Sequence, residues 1–370
     1  MSGPAPIRHV LLLAQVEPPI HGQAIMASLL AREAARWEDC RFTVVNAAYA
    51  TDRAGLGGFS FGKVLRWFGY LVRVTKEIVF QGVDTVVMTH AFFKGPFLKD
   101  SAFVWLVKGL LRKRLFAWVH MDPSRLGFGS LPGWLARHAE ATLQLPDRWV
   151  ACSPALTYGW PREIPADKAT AVCNGIPDPA GDKLATPADS KRVVFLSAMT
   201  EEKGWRELFE VGRRLCAESV DLEIAFYGGA GAGETEESLQ RFFVNGPFPD
   251  RMTWYGATWG EDKAAALRAG AVFCLPSWTE AFPLAVLDAM AFGLPVIATR
   301  VGGVADAVVP GNGGWLVPAR DEAALEAALR EALGSSAQRR TMGEFNRARF
   351  LENFSVEAFG RAWHRLIQAA

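Results

Sequence analysis

The sequence predicts an α/β fold: two doubly wound, Rossmann-like domains facing each other across a cleft. Three observations carry that expectation. Short apolar runs rich in Val, Ile, Leu and Phe alternate with longer segments of helical period, as parallel sheets built from right-handed crossovers require. The alternation occurs twice, on either side of a Pro/Gly/Asp-rich stretch, Gly175–Lys191. The length of 370 residues, half of them apolar and 11% aromatic, suffices for two domains with cores of their own.

In the first series the expected strands are Val10–Ala14, Phe42–Asn46, Thr85–Thr89, Leu115–His120 and Arg148–Cys152. Between them Gly22–Arg36, Lys63–Phe80 and Asp100–Leu111 repeat apolar residues every three or four positions and predict helices. The second series offers strands at Val193–Ser197, Glu223–Tyr227, Met252–Tyr255, Val272–Leu275 and Pro295–Ala298, with helices at Trp205–Glu218 and Glu261–Ala269. A last amphipathic helix, Ser355–Ile367, is expected to cross back to the first domain. The expected division is residues 1–177, 178–354 and the crossover helix 355–370.

Composition excludes several classes. The net charge is +1, with a balance of +7 over residues 1–177 and −6 over residues 178–370. A basic first half suits an anionic surface or acidic acceptor, and ordinary drift between domains explains it equally well. The five cysteines show neither C-x-x-C nor a Cys/His cluster, which argues against a zinc site and for a reduced, cytoplasmic setting. The most apolar long segment, Phe97–Trp118, contains Lys99, Asp100, Lys108, Arg112, Lys113 and Arg114, too many charges for a membrane span. The opening run Val10–Ala14 is too short for a secretory segment.

The densest chemical signal is Pro276-Ser-Trp-Thr-Glu280-Ala-Phe-Pro283, running into an apolar helix that holds Asp288. Pro283 suits the first turn of that helix, where a missing N–H costs nothing. The amides of Ala281, Phe282 and Leu284 are then expected at a positive helix end, where an anion binds. A carboxylate such as Glu280 can accept from both hydroxyls of a sugar or ribose diol, and the competing reading is a capping acid. Asp288 lies among apolar neighbours, where an unpaired acid is costly, so a partner is expected. Lys203-Gly204, after the strand Val193–Ser197, offers an ammonium to a diphosphate. Gly228–Gly233 lacks the spacing of a dinucleotide fingerprint and reads as a strand-to-helix turn.

These residues resemble family 4 of the retaining glycosyltransferases with the GT-B fold, the glycosyl transferases group 1. The resemblance is strongest over residues 193–329. It rests on Glu280, the run Gly293-Leu-Pro-Val296 and the turn Gly302-Gly303. It implies that Glu280 contacts the transferred sugar and that Lys203 neutralises the diphosphate. It also implies that the acid eight residues after Glu280 holds the ribose. Here that acid is Asp288, one methylene shorter than the family's glutamate. Ala198 stands where the family usually carries a second, arginine, cation. The resemblance further sets Pro18-Pro-Ile-His21-Gly22-Gln23 beside the diphosphate and acceptor, and gives His120 a sugar contact, with Asp122 as its candidate partner. Asn174-Gly175-Ile176 matches the family's turn into the linker.

The expected activity is that of a metal-independent hexosyltransferase with no cofactor, working in polysaccharide, glycolipid or other cell-envelope glycan synthesis. Catalysis is expected from Glu280, His120 and Lys203. Donor binding is expected from Gly22, Lys203, Glu280, Ala281, Phe282, Pro283, Leu284 and Asp288. Its partners would be a nucleotide-sugar donor and a glycan, glycolipid or small-molecule acceptor, with no nucleic acid. Two alternatives remain open, a nucleotide-sugar epimerase of the same architecture and a non-catalytic nucleotide-sugar-binding protein. The basic, aromatic segments Gly62–Phe80 and Phe97–Trp118 are open to two readings as well: a peripheral face for an anionic membrane, with Trp67, Phe68, Tyr70, Trp105, Leu110 and Leu111 as its apolar contacts, or simply domain core.

Overall fold

The computed structural model describes residues 8–18, 21–47, 61–121, 131–185 and 190–369. The chain divides into two units, Met1–Asn174 with Phe359–Ala370, and Gly175–Ala358. Among the described residues no helix is long and apolar enough to cross a membrane.

The first unit is built on a parallel sheet of β1 (Arg8–Ala14), β2 (Cys40–Asn46), β3 (Thr85–Thr89), β4 (Arg114–Val119), β5 (Arg148–Ala151) and β6 (Ala169–Ala171). Their spatial order is β2-β1-β3-β4-β5-β6. Val10 to Ala14 are all buried, because a parallel strand covered on both faces needs apolar side chains at every position rather than at alternate ones. One apolar cluster gathers Leu11, Leu13, Val86 and Leu115 with Val74 and Ile78 of the helix Phe61–Phe80. A second gathers Phe92, Phe97 and Trp149 with Ala139 and Leu143 of the helix Gly133–Gln144. Each such aliphatic side chain, fully withdrawn from water, contributes about 1.5–3 kcal/mol.

The helix expected at Asp100–Leu111 runs instead from Lys94 to Val104 and then widens into a π turn, Trp105–Leu110. The terminal helix, Val356–Ala369, buries Trp363 and Ile367. Trp363 meets Trp118 edge-on at 4.9 Å, and Arg8 donates to the carbonyl of Ile367 at 2.9 Å. The terminal helix is thereby held on the first sheet.

The second unit repeats the plan with β7 (Arg192–Leu196), β8 (Glu223–Tyr227), β9 (Met252–Trp254), β10 (Val272–Leu275), β11 (Val296–Thr299) and β12 (Gly314–Val317). All pairs are parallel, in the order β12-β11-β10-β7-β8-β9. The strand order reverses between β7 and β10, which places a topological switch point there, and ligands bind beyond the carboxyl ends of strands at such a point. Gly228–Gly233 is the turn between β8 and the helix Glu236–Val244. The turn Asn174-Gly175-Ile176 marks the change of unit: the Ile176 amide donates to Phe354, and its carbonyl accepts from Val356.

Candidate functional site

In the second unit the loop after β10 is set by its neighbours' backbones. Gly302, at φ +49°, lies so close that a Cβ there would stand 1.8 Å from the Glu280 carbonyl oxygen. Gly204, at φ +71°, approaches from the other side, where a Cβ would stand 2.1 Å from the Pro276 carbonyl oxygen. Only glycine permits both the positive φ and the approach. The Gly303 amide then donates to Ala281 at 2.7 Å, and the Trp278 amide donates to Glu202 at 2.8 Å. Thr299 donates through its hydroxyl to the Ser277 carbonyl. The indole N–H of Trp278 donates to Glu207 at 2.6 Å, while Arg320 lies 3.8 Å over its ring. The loop is fixed before any ligand arrives.

Held there, Glu280 receives Lys203 Nζ on Oε1 at 2.6 Å and the Ser277 hydroxyl on the same oxygen at 2.8 Å. The carboxylate is 9% exposed and the ammonium 27%, so water screens this pair only in part. Both bonds use Oε1, leaving Oε2 without a hydrogen-bond donor among the described residues. Lys203 closes the short turn Glu201–Lys203 that follows β7. Ala198, on the same stretch, is an exposed methyl with no charge to add.

Asp288 lies inside the helix Leu284–Ala291 and is buried. The partner its burial demanded is Lys263, whose Nζ reaches both carboxylate oxygens at 2.9 Å. Burial raises the carboxyl above its ordinary value, and the Lys263 ammonium pulls it back. Sequence reasoning missed Lys263: it is a half-buried lysine on a short helix, Gly260–Arg268, and nothing along the chain marks a pair 25 residues apart.

One expectation needs correction here. Pro283 is the cap before the helix, not part of its first turn. The first-turn amides belong to Leu284, Ala285 and Val286, and Val286 already donates to the Pro283 carbonyl. Ala281 and Phe282 lie ahead of the cap, and Phe282 is buried with its ring 5.7 Å from that of Phe354.

In the first unit, His120 stands one residue past the end of β4 rather than within it. Its ring lies 4.3 Å from that of Trp118, and its Nε2 is sealed from solvent with no hydrogen-bond partner among the described residues. Burial first, and then His21, push its pKa down to about 3, so the imidazole is neutral at ordinary pH. His21 caps the helix Gly22–Ala34 by accepting the Ala24 amide on Nδ1, and its Nε2 meets Gln15 Oε1 at 3.2 Å. Gly22 opens this helix with nothing near its absent Cβ, leaving room for a bound group. Asp122 lies outside the described residues. His90, just past β3, is a further buried histidine, neither ring nitrogen partnered among the described residues; burial lowers its pKa to about 4.

A set of side chains able to hold a metal gathers elsewhere, at the amino end of β2, from Asp39, Cys40 and His364. These groups already satisfy one another: His364 Nε2 meets Asp39 at 2.8 Å, and Gln368 donates to Asp39 at 2.9 Å. Burial and the Asp39 charge push the Cys40 thiol up to about 11, so it stays protonated. All five cysteines are free thiols.

Of the expected site residues, the structure brings together Lys203 and Glu280 in the second unit, and His120 with the His21-Gly22 turn in the first.

The glycosyl transferases group 1 family model matches residues 180–349. The D-inositol 3-phosphate glycosyltransferase of Corynebacterium efficiens is 30% identical over 179 residues, 48% of this chain and 42% of that protein. The amylovoran biosynthesis glycosyltransferase AmsK of Erwinia amylovora is 30% identical over 173 residues, 45% of this chain and 42% of that one. The chain thus spans less than half the length of these curated relatives. Among solved structures, Anabaena HepE in complex with UDP superposes with a TM-score of 0.74 at 15% identity, over 98% of this chain and 100% of that one. The family match thus falls within the second unit, and the chain as a whole has the α/β fold of the GT-B glycosyltransferases.

Proposed function

We propose that the protein is a retaining glycosyltransferase that moves a hexose from a nucleoside diphosphate sugar to an acceptor hydroxyl, without metal. The observation that carries this reading is the Lys203–Glu280 pair, held at 2.6 Å in a loop that two glycines clamp at the switch point of the second sheet. A cation and a carboxylate paired there form a divided receptor. The diphosphate draws the ammonium, and Glu280, relieved of it, turns both oxygens to sugar hydroxyls. The group 1 match over residues 180–349 supports the same reading. The UDP in the HepE structure makes uridine diphosphate sugars the first donors to test.

The chemistry asked of this chain is positioning and charge stabilisation. The acceptor oxygen bonds to the anomeric carbon on the face from which the diphosphate departs. The bond from that carbon to phosphate breaks, and the leaving phosphate oxygen takes the acceptor proton. Lys203 and the amides of Leu284 and Ala285 stabilise the leaving charge, while Asp288, steadied by Lys263, holds the ribose. A glycan, glycolipid or small-molecule acceptor of cell-envelope synthesis fits the named relatives, and free thiols throughout suit a cytoplasmic setting.

The test is a transfer assay with uridine diphosphate hexoses and a panel of glycan and lipid-linked acceptors, reading the anomeric configuration of the product by NMR. A product with the donor's configuration is expected, formed equally well in chelator. An inverted product, or isomerised donor without acceptor, would overturn it.

A further inference from the structure

The helix Phe61–Phe80 has two apolar faces, and the sheet accounts for only one. Val74 and Ile78 are buried, with Trp67, Tyr70 and Leu71 packed beside them. On the opposite side Leu65, Phe68, Val72 and Val79 are each more than half exposed. Their spacing of three, four and seven residues sets them in one stripe along a helix about 30 Å long. Phe80, 81% exposed, ends the same side. Arg66, Arg73 and Lys76 run along one border of the stripe, exposed and in no ion pair among the described residues. The helix's sole acid is Glu77.

Of the aromatic residues singled out on this helix, Phe68 faces solvent and the other two do not. Trp67 and Tyr70 pack on the core, and Leu65, Phe68 and Val72 take the outer face. The second segment, Phe97–Trp118, is divided, with Leu98, Trp105 and Leu110 exposed. Phe97, Phe103, Val104 and Val107 are buried, and Lys108 is engaged by Asp147 at 2.9 Å.

We propose that this outer face of the helix Phe61–Phe80 docks the protein flat on an anionic lipid surface. The apolar stripe enters the acyl boundary, and Arg66, Arg73 and Lys76 reach the phosphate headgroups. Charge complementarity selects this occupant: an apolar strip with a cationic border and one acid matches a negatively charged bilayer, where long basic side chains snorkel outward. A protein groove would leave the three cations needing acids of its own. The inference rests on the first unit alone, so it stands or falls apart from donor binding in the second.

The experiment is co-sedimentation of the full chain with phosphatidylglycerol–phosphatidylcholine vesicles and with phosphatidylcholine alone, at low and high salt. Binding to the anionic vesicles is expected, weakened by salt and nearly absent on neutral lipid. Phe68→Ser with Val72→Ser, and separately Arg73→Glu with Lys76→Glu, should each lower the partition coefficient about tenfold or more. Both replace exposed side chains, and a far-UV circular dichroism spectrum and melting temperature equal to wild type confirm the fold. Leu98→Ser, an exposed apolar change on another helix, should leave partitioning unchanged. No binding to anionic vesicles at low salt would overturn the proposal, as would unchanged partitioning of either double variant. A dimer in size-exclusion chromatography that Phe68→Ser with Val72→Ser dissociates would give the face to a second copy instead, and would also overturn it.

Discussion

The carboxyl-end loops of the two sheets satisfy their polar groups in opposite ways. In the second unit the acids and bases answer one another: Lys203 with Glu280, Lys263 with Asp288, Trp278 with Glu207. In the first, His90 and His120 are buried neutral with nitrogens unpartnered among the described residues, and a basic-edged apolar stripe lies open to solvent. Charge pairs fixed by glycine contacts prepare a site for a charged ligand whose geometry does not vary, such as a diphosphate. Neutral rings and apolar surface suit hydroxyls and lipid, for which fixed charges would be costly to desolvate. Under the proposed function, the difference assigns donor chemistry to the second unit and acceptor chemistry to the first.

The largest expected effect breaks the charged side of that comparison. Glu280→Ala and Lys203→Ala should each lower kcat for transfer by roughly 10²–10³, the scale of losing one fixed stabilising group. Far-UV circular dichroism should be unchanged; near-normal turnover in both would sink the assignment. Gly302→Ala forces a Cβ into the Glu280 carbonyl at a positive φ, so both donor affinity and melting temperature should fall. An unaffected donor affinity would show that the clamp is not what sets the site.

Asp288→Asn should come next, because it strands the Lys263 ammonium against a partly buried amide. A loss of about 3 kcal/mol is expected by denaturant melting, the scale of breaking one buried pair. A cost near zero would mean that the pair contributes no net stability.

On the neutral side, acid should destabilise the first unit. An unfolded His90 takes up a proton below its ordinary value of 6.5, whereas the folded one stays neutral down to about 4. The unfolded state then binds more protons, so stability falls as pH drops through that window, by about 1.4 kcal/mol per pH unit for this one group. His90→Leu removes the titrating ring and should flatten the acid limb of a melting-temperature profile between those values. An unaltered slope would place the acid sensitivity elsewhere. The smallest effect is none: chelator should leave transfer untouched.

Much of this was legible along the chain because buried parallel strands write themselves as unbroken apolar runs. Thr85–Thr89, Glu223–Tyr227 and Val272–Leu275 begin and end where the pattern does. The strands β6 and β12 escaped notice, since three residues, or four beginning with Gly314, carry no readable period. The loop around Glu280 announced itself by residue type, and the need for a partner at Asp288 followed from its apolar company. Which lysine answers it is a tertiary fact. The helix Phe61–Phe80 shows the limit most clearly: a helix apolar on both faces states its period but not which stripe meets the sheet. The pattern named Trp67, Phe68 and Tyr70 together without dividing them: Phe68 points outward with Leu65, while Trp67 and Tyr70 pack on the core.

The central claim is that Lys203, paired with Glu280, grips the diphosphate of a sugar donor. The most direct test is the melting shift of wild type and Lys203→Ala with each of a series of nucleoside diphosphate sugars. A donor near a hundred times its Kd should stabilise the wild type by about 2.7 kcal/mol. The account predicts that one donor raises the wild-type melting temperature and that Lys203→Ala, folded alike without ligand, loses that shift. An equal shift in the variant, or no shift of the wild type by any of them, would contradict it.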